Sequence, residues 1–396
     1  MLKPNPHYAN LKDSYLFYRI SQAVDAYNEA HPGTRLLKLG IGDVTLPLCS
    51  AVIQALHDAV EDQSRKETFH GYMPECGDPA LREAIALHFR SRGIPVDPDE
   101  VFISDGASGD LGAVQGLFDT DNTVLVMDPA YPEYADSNIM AGRKVIHLTG
   151  GQENGFLPRP DPRQPADIIY ICSPNNPTGA VFSRKGLQEW VDFANEHGSV
   201  IIFDAAYESF VEDDSLPRSV YESDGADRCA IEICSLSKSA GFTGTRLGYT
   251  VVPKAIVRNG FRLNDMWVRN RTTVTNGVSY IIQKGAAAVF TPEGQEQTKQ
   301  NVRAYKKNAQ ILTRVLDEAG IWYCGGTNSP YVWMECPGGM DSWSFFDLLM
   351  NKAQIIGTPG AGFGSCGENH FRLSAFGSLE DTEEAARRLR DLLPAL

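Results

Sequence analysis

The residues best able to do chemistry are concentrated in one run, Ser235-Leu236-Ser237-Lys238-Ser239-Ala240-Gly241-Phe242-Thr243-Gly244-Thr245-Arg246. A lysine amine there can form an imine with an aldehyde cofactor. The hydroxyls of Ser235 and Ser237 and the guanidinium of Arg246 can hold a phosphate, which the formal net charge of −14 would otherwise repel. Alone, the run also reads as an exposed Ser/Gly loop with a surface lysine. In Phe203-Asp204-Ala205-Ala206-Tyr207 a carboxylate directly follows an apolar run, where a buried charge needs a cationic partner. A protonated pyridine nitrogen is such a partner, and its protonation makes the ring an electron sink; the competing reading of Asp204 is a helix N-cap. Ser173-Pro174-Asn175-Asn176-Pro177-Thr178-Gly179 reads as a rigid loop that fixes an Asn amide, or as an ordinary turn. Asn, Asp and Lys on three polar loops at adjacent strand ends are hard to explain as independent turns.

These loops need a frame. The middle of the chain alternates short apolar, β-branched runs with amphipathic stretches, the pattern of an α/β fold with a largely parallel sheet. Strands are expected at Glu100–Ser104, Thr123–Met127, Lys144–Leu148, Asp167–Cys172, Val200–Phe203, Ala230–Cys234 and Leu247–Val252. Ligands of such sheets gather where strand carboxyl ends open into loops. Helical patterns at Pro79–Arg92 and Arg184–His197 put Leu81, Ile85, Phe89, Leu187, Trp190 and Val191 on core-facing stripes. The segment around Phe261–Thr291 reads as a connecting helix. After it come a long charged helix over Glu293–Gly320 and a smaller strand-and-helix unit ending in Glu380–Leu393.

A length of 396 residues exceeds what one core usually serves, so two unequal domains are expected. The first forty residues are too few to fold alone and are expected to pack on the C-terminal unit. The smaller domain is then discontinuous: 1–46 and 286–396 form its two parts, and 47–285 the large domain. Hydrophobic content of 42% with 22% charged residues is ordinary for a soluble protein, and no apolar stretch is long enough to span a bilayer. The acidic balance argues against nucleic acid and anionic membranes as partners. The N-terminus lacks a secretory apolar core, so the cytoplasm is the expected compartment. Eight scattered cysteines without close CxxC pairs are expected to be free, mostly buried thiols, and no metal site is expected.

Together the three loops resemble those of the class I/II aminotransferases of pyridoxal 5'-phosphate (PLP) fold type I, a resemblance that extends over nearly the whole chain. It implies a large domain with a mostly parallel mixed sheet flanked by helices, plus a smaller discontinuous α+β domain. It makes Lys238 the Schiff-base lysine and pairs Asp204 with the pyridinium nitrogen. Asn176 and Tyr207 then bond the cofactor's phenolic oxygen, and Ser235, Ser237 and Arg246 hold the phosphate. Asp105-Gly106-Ala107-Ser108 resembles the phosphate-cradling turn, a use of exposed N–H groups that physics supports independently. Tyr131 resembles the aromatic stacked on the ring. Arg372, in Phe371-Arg372-Leu373-Ser374, resembles the clamp on the substrate α-carboxylate, and Gly42 lines the same pocket. Tyr72, in Gly71-Tyr72-Met73-Pro74-Glu75-Cys76-Gly77, resembles a residue that reaches the partner's cofactor phosphate, which implies a homodimer with shared sites.

Within that class the nearest resemblance is to the LL-diaminopimelate aminotransferases. It is carried by Asn5-Pro6-His7-Tyr8, Tyr15-Leu16-Phe17, Gly71–Gly77, Phe203–Phe210, Ser237–Val252 and Thr275-Asn276-Gly277. By it, Tyr15 and Asn276 contact substrate or cofactor, and Glu75 reads the distal ammonium of diaminopimelate. The implied reaction passes an amino group between LL-diaminopimelate and 2-oxoglutarate, in lysine biosynthesis. One position departs: Ser108 stands where that family usually has lysine, so a cationic substrate contact is missing, while the Ser108 N–H and hydroxyl remain for the phosphate. A relative acting on lysine or another basic or dicarboxylic amino acid is the alternative, as is a lyase of the same fold. Gly362-Phe363-Gly364-Ser365-Cys366-Gly367 matches G-x-G-x-x-G, but it runs into a strand rather than opening a helix, which argues against a dinucleotide site.

Overall fold

The structure, a computed structural model, describes residues 2–11, 16–40 and 42–396. Seven strands form the main sheet: β1 (Val101–Ser104), β2 (Thr123–Asp128), β3 (Lys144–Thr149), β4 (Ile168–Cys172), β5 (Val200–Asp204), β6 (Ala230–Ser235) and β7 (Gly248–Val251). Their spatial order is β1-β7-β6-β5-β4-β2-β3. All neighbours pair parallel except β7, which is antiparallel to both β1 and β6. All seven expected strands are present, with ends shifted by a residue or so.

Alternate residues of each strand serve opposite faces, as a two-residue period demands. Leu125, Ile169, Ile201 and Phe203 enter one core with helices Pro79–Ser91, Arg184–His197 and Tyr280–Val289. Val124, Val126, Ile168, Ile202 and Ile233 enter the other, with Leu111 of Ala107–Ala113 and Trp267 of Leu263–Val274. The connection from β1 to β2 leaves one edge of the sheet and crosses toward the far side over one face, where Leu111, Val114 and Leu117 pack.

A second sheet is antiparallel, built from β8 (Tyr323–Gly325), β9 (Tyr331–Glu335), β10 (Thr358–Pro359) and β11 (His370–Ser374) in the order β8-β9-β11-β10. Its core joins Val332, Trp333, Phe371 and Leu373 to Leu312 and Leu316 of the long helix Pro292–Ala319 and Leu389 of Leu379–Leu392. Leu16, Ile20, Tyr27, Leu37 and Leu39 enter that same core. Leu37–Lys38 also pairs in parallel with Ile355–Ile356. The first half of the long helix instead meets the main sheet through Val302 and Tyr305.

The stretch expected as one connecting helix is two, Leu263–Val274 and Tyr280–Val289, with Phe261–Arg262 a short strand before them. The break falls at Asn276-Gly277. Gly277 has φ of 79°, and a Cβ there would lie 2.6 Å from the Met73 carbonyl oxygen, so packing against residues 73–74 fixes both the break and the glycine. The glycine-rich segment 362–367 forms short 3-10 turns held by Asp128, whose carboxylate accepts from Ser365 N (3.0 Å) and Cys366 N (3.1 Å). All eight cysteines are free, four of them buried. No helix among the described residues is long and apolar enough to cross a membrane.

Candidate active site

The polar loops meet at the carboxyl edge of the main sheet. β1 delivers Ala107 and Ser108, β2 Tyr131, β4 Asn176, β5 Asp204 and Tyr207, and β6 Ser235 and Lys238. Arg246 joins them because β7 runs antiparallel, so its first residues lie beside the last residues of its neighbours: Gly248 is in register with both Ser104 and Ser235. Arg246 has φ of 60°, a strained choice for a side-chain-bearing residue. Gly106 makes room for its guanidinium, since a Cβ there would sit 2.3 Å from Arg246 Nη2.

These residues line a cavity of about 510 Å³ together with Gly42 and Arg372, the latter contributed by β11 of the second sheet. Tyr72, Glu75 and Asn276 do not line it. All three are exposed, Tyr72 to 89%, and the contact of Gly277 with Met73 gathers their two segments on one face. Tyr15 lies outside the described residues.

Lys238 is half-buried in the cavity wall, and its Nζ donates to the Gly42 carbonyl oxygen. Burial pushes the amine down to about 8; Asp43 opposes this, while Arg372 and Arg246 push the same way. About a tenth of the amine is then neutral and nucleophilic at pH 7, and the fraction rises steeply above it. Gly42 is required where it stands, because a Cβ would lie 2.8 Å from the Tyr331 hydroxyl and 3.8 Å from Lys238 Nζ.

Asp204 accepts from the Tyr134 hydroxyl (2.6 Å) and from Ala206 N (2.9 Å), both neutral donors. The second bond is the cap-like contact anticipated as the competing reading, and it coexists with a side chain that faces the cavity. Burial raises the Asp204 carboxyl above its ordinary value. Arg372, 1% exposed, is its counterpart of opposite sign. Its Nη1 donates to Asn176 Oδ1 (2.6 Å) and its Nη2 to the Gly40 carbonyl oxygen (2.7 Å), while its Nε has no partner. The guanidinium lies over Tyr331 at 4.3 Å and Phe363 at 4.8 Å. Arg246 likewise bonds only neutral groups, Ser237 Oγ at 3.2 Å and the Thr243 carbonyl oxygen at 3.3 Å. Among the described residues, none of these three charges has a counter-ion. One cavity therefore carries the buried Asp204 and Arg372, the exposed Arg246, a second carboxylate in Asp43 and a reactive amine, a set that a ligand with groups of opposite sign would pair.

Several cavity residues were not singled out from the sequence: Phe17, Asp43, Tyr134 and Tyr331. Tyr331 shares a 2.8 Å hydrogen bond with Tyr207, and burial raises both phenols, keeping them protonated. Tyr134 follows Tyr131 by three residues, a spacing that places both near the start of one helix. Tyr331 gives no such sign, because on β9 it reads as a core aromatic. The expectation that the Ser108 hydroxyl is free for a phosphate is not met: it donates to both oxygens of Glu133, at 3.0 and 2.8 Å. The Ser108 side chain is committed to a carboxylate.

The family model for aminotransferases of class I and II matches residues 34–389. A curated protein named LL-diaminopimelate aminotransferase from Lawsonia intracellularis is 47% identical, covering 99% of this chain and 100% of that protein. A second of that name, from Lachnospira eligens, is 46% identical with the same coverage. The solved L,L-diaminopimelate aminotransferase of Chlamydomonas reinhardtii superposes with a TM-score of 0.93 at 40% identity, covering 98% of both chains.

Proposed function

From the premise that this chain belongs to the class I and II aminotransferases, we propose that it moves an amino group between LL-diaminopimelate and 2-oxoglutarate, using pyridoxal 5'-phosphate carried on Lys238. The observation that carries this reading is the set of charges without counter-ions around Lys238, with Asp204 and Arg372 buried and Arg246 exposed. They fit the cofactor group by group: Arg246, with Ser235 and Ser237, suits a phosphate; Asp204 suits a pyridinium nitrogen; Lys238 suits an aldehyde. Arg372 then remains for a substrate carboxylate, and its planar fork suits bidentate binding.

When bound, the cofactor supplies an electron sink for the pair left on the substrate α-carbon. The Asp204 carboxylate would hold a proton on the ring nitrogen, and Tyr134 fixes that carboxylate by its 2.6 Å hydrogen bond. Asn176 and Tyr207 would supply polar groups to the cofactor, Tyr131 an aromatic face, and the Ala107 and Ser108 N–H groups donors for its phosphate. The Lys238 amine, held near neutrality by burial, takes the proton from the α-carbon and returns it. Arg372 orients the α-carboxylate, with Asn176 and Gly40 holding the guanidinium in place.

The same reading makes the active unit a homodimer in the cytoplasm. Its support is that Tyr72, Glu75 and Asn276 are exposed on one face and outside the cavity of their own chain, as residues serving a neighbour's site would be. In that arrangement Glu75 meets the distal ammonium of diaminopimelate, and Tyr15 also contacts substrate. The test is a panel of amino donors with 2-oxoglutarate, scored by glutamate formed. LL-diaminopimelate is expected to be used well above lysine and aspartate; brisk use of lysine with none of diaminopimelate overturns the substrate and leaves the aminotransferase.

A further inference from the structure

We infer that Tyr305 is a positioning residue for the Lys238 amine, its hydroxyl fastening the loop of residues 42–46 that lies against that amine; the inference deepens the aminotransferase reading above and rests on it. The chain leaves the second core after Leu37 and Leu39 and reaches the main-sheet core, where Val44 and Leu46 pack. On the way it supplies Gly42, whose carbonyl oxygen accepts from Lys238 Nζ, and Asp43, which lines the same cavity. The far end of the loop is tied twice. The Tyr305 hydroxyl accepts from Thr45 N at 3.1 Å and from Leu46 N at 2.8 Å, and Thr45 Oγ1 donates to the Phe376 carbonyl oxygen at 2.6 Å.

Tyr305 is itself held firmly. It is buried on the long helix Pro292–Ala319, with its ring edge-on to Phe376 at 5.0 Å. Lys238 Nζ lies 5.6 Å from the centre of the same Phe376 ring, so helix, loop and amine share one packed neighbour. Lys238 faces Asp43 on the loop, Arg246 and Arg372 from the two sheets, Asp204 at the end of β5 and the tyrosines of the cavity. Freeing the loop acts on the amine in two opposed ways. Water reaches it, which relieves its burial and favours the ammonium; Asp43 drifts from it, which disfavours the ammonium. Burial is the largest influence on this amine, and Asp43 is exposed and screened by solvent, so the relief of burial wins.

A hydroxyl that satisfies two backbone N–H groups also contributes plain stability, so the test must read the amine rather than the fold. The rate at which the apoprotein captures pyridoxal 5'-phosphate is followed by absorbance from about pH 6 to about pH 10 in wild type, Tyr305→Phe and Thr45→Val. Tyr305→Phe should move the midpoint of the profile up by about half a pH unit, which slows capture at pH 7 about threefold, and leave the high-pH plateau within about twofold of wild type. Damage to the fold alone lowers the plateau and leaves the midpoint in place. Thr45→Val, which unties the second anchor of the same loop, should move the midpoint the same way, and it decides the matter if thermal unfolding shows that Tyr305→Phe is not folded. A midpoint that stays within about 0.2 unit of wild type, or that moves down, overturns the inference. Wild type is scored separately: normal capture with unmoved variants sinks the role of Tyr305 alone, whereas a wild-type apoprotein that captures no cofactor sinks the aminotransferase reading.

Discussion

Arg372→Lys keeps the charge and removes the fork. In the wild type Nη1 and Nη2 are spent on Asn176 Oδ1 and the Gly40 carbonyl oxygen, and the plane lies 4.3 Å from the Tyr331 ring. An ammonium reaches one of those acceptors or the substrate carboxylate in good geometry, not all of them, and it stacks poorly. Losing one charge-assisted hydrogen bond to the substrate costs about 1.5–3 kcal/mol, so kcat/KM for any amino acid donor should fall roughly ten- to hundredfold. Cofactor content should be unchanged, because the groups proposed to hold it lie on the main sheet. The assay is steady-state glutamate formation at several donor concentrations, with cofactor absorbance measured on the same samples. A kcat/KM within about threefold of wild type, at full cofactor loading, would refute the assignment of Arg372 to the carboxylate.

Asp204→Asn leaves Tyr134 and Ala206 with an isosteric partner but removes the charge proposed to face the ring nitrogen; breaking a buried pair costs about 3–5 kcal/mol, so turnover should drop by roughly two to four decades. Cofactor capture by the apoprotein needs a neutral Lys238 amine, so its rate, followed by absorbance, should climb with pH toward about 8 and level off above it. Asp43 pushes that amine up, so Asp43→Asn should move the midpoint of the profile down; no movement would discount that carboxylate. Arg271→Leu strips the fully buried Asp110 of its 3.0 Å partner, and urea unfolding should show a loss of about 3–5 kcal/mol. Burial already raises the Asp110 carboxyl to about 6, so folding takes up a proton there; stability of the variant should fall further as pH rises through and above that value, and a loss independent of pH would contradict the account. Mixing Lys238→Ala chains with Tyr72→Phe chains, then letting subunits exchange, should restore activity if sites are shared; no gain argues that each chain builds its site alone.

What the sequence reveals and what it hides have physical reasons. Six of the seven main strands are apolar runs buried on both faces, so their composition alone marks them, while the edge strand Lys144–Thr149 is partly exposed; the loops that follow the buried strands carry the site. Asp204 is legible because a charge next to an apolar run needs a partner, Arg246 because its guanidinium follows a run of hydroxyls suited to a phosphate, and Arg372 only through the family resemblance. The break at Asn276-Gly277 has a local signal, an Asn-Gly pair, that the apolar residues on either side overrode. Tyr331 and Tyr134 escape because their roles are hydrogen bonds to Tyr207 and Asp204, set by tertiary placement and not by any local pattern. The Ser108–Glu133 contact is hidden more deeply. It joins the helix after β1 to the helix after β2, strands that lie far apart in the sheet, so no local pattern records it.

The central claim is that Lys238 carries the cofactor that makes this chain an aminotransferase. Borohydride reduction of the pyridoxal-phosphate-loaded protein, followed by proteolysis and mass spectrometry, tests it most directly, since reduction fixes the cofactor to the amine that holds it. The account predicts one adduct, on the peptide containing Lys238, and none on the same treatment of Lys238→Ala. An adduct on another lysine, or an undiminished adduct in that variant, would contradict it.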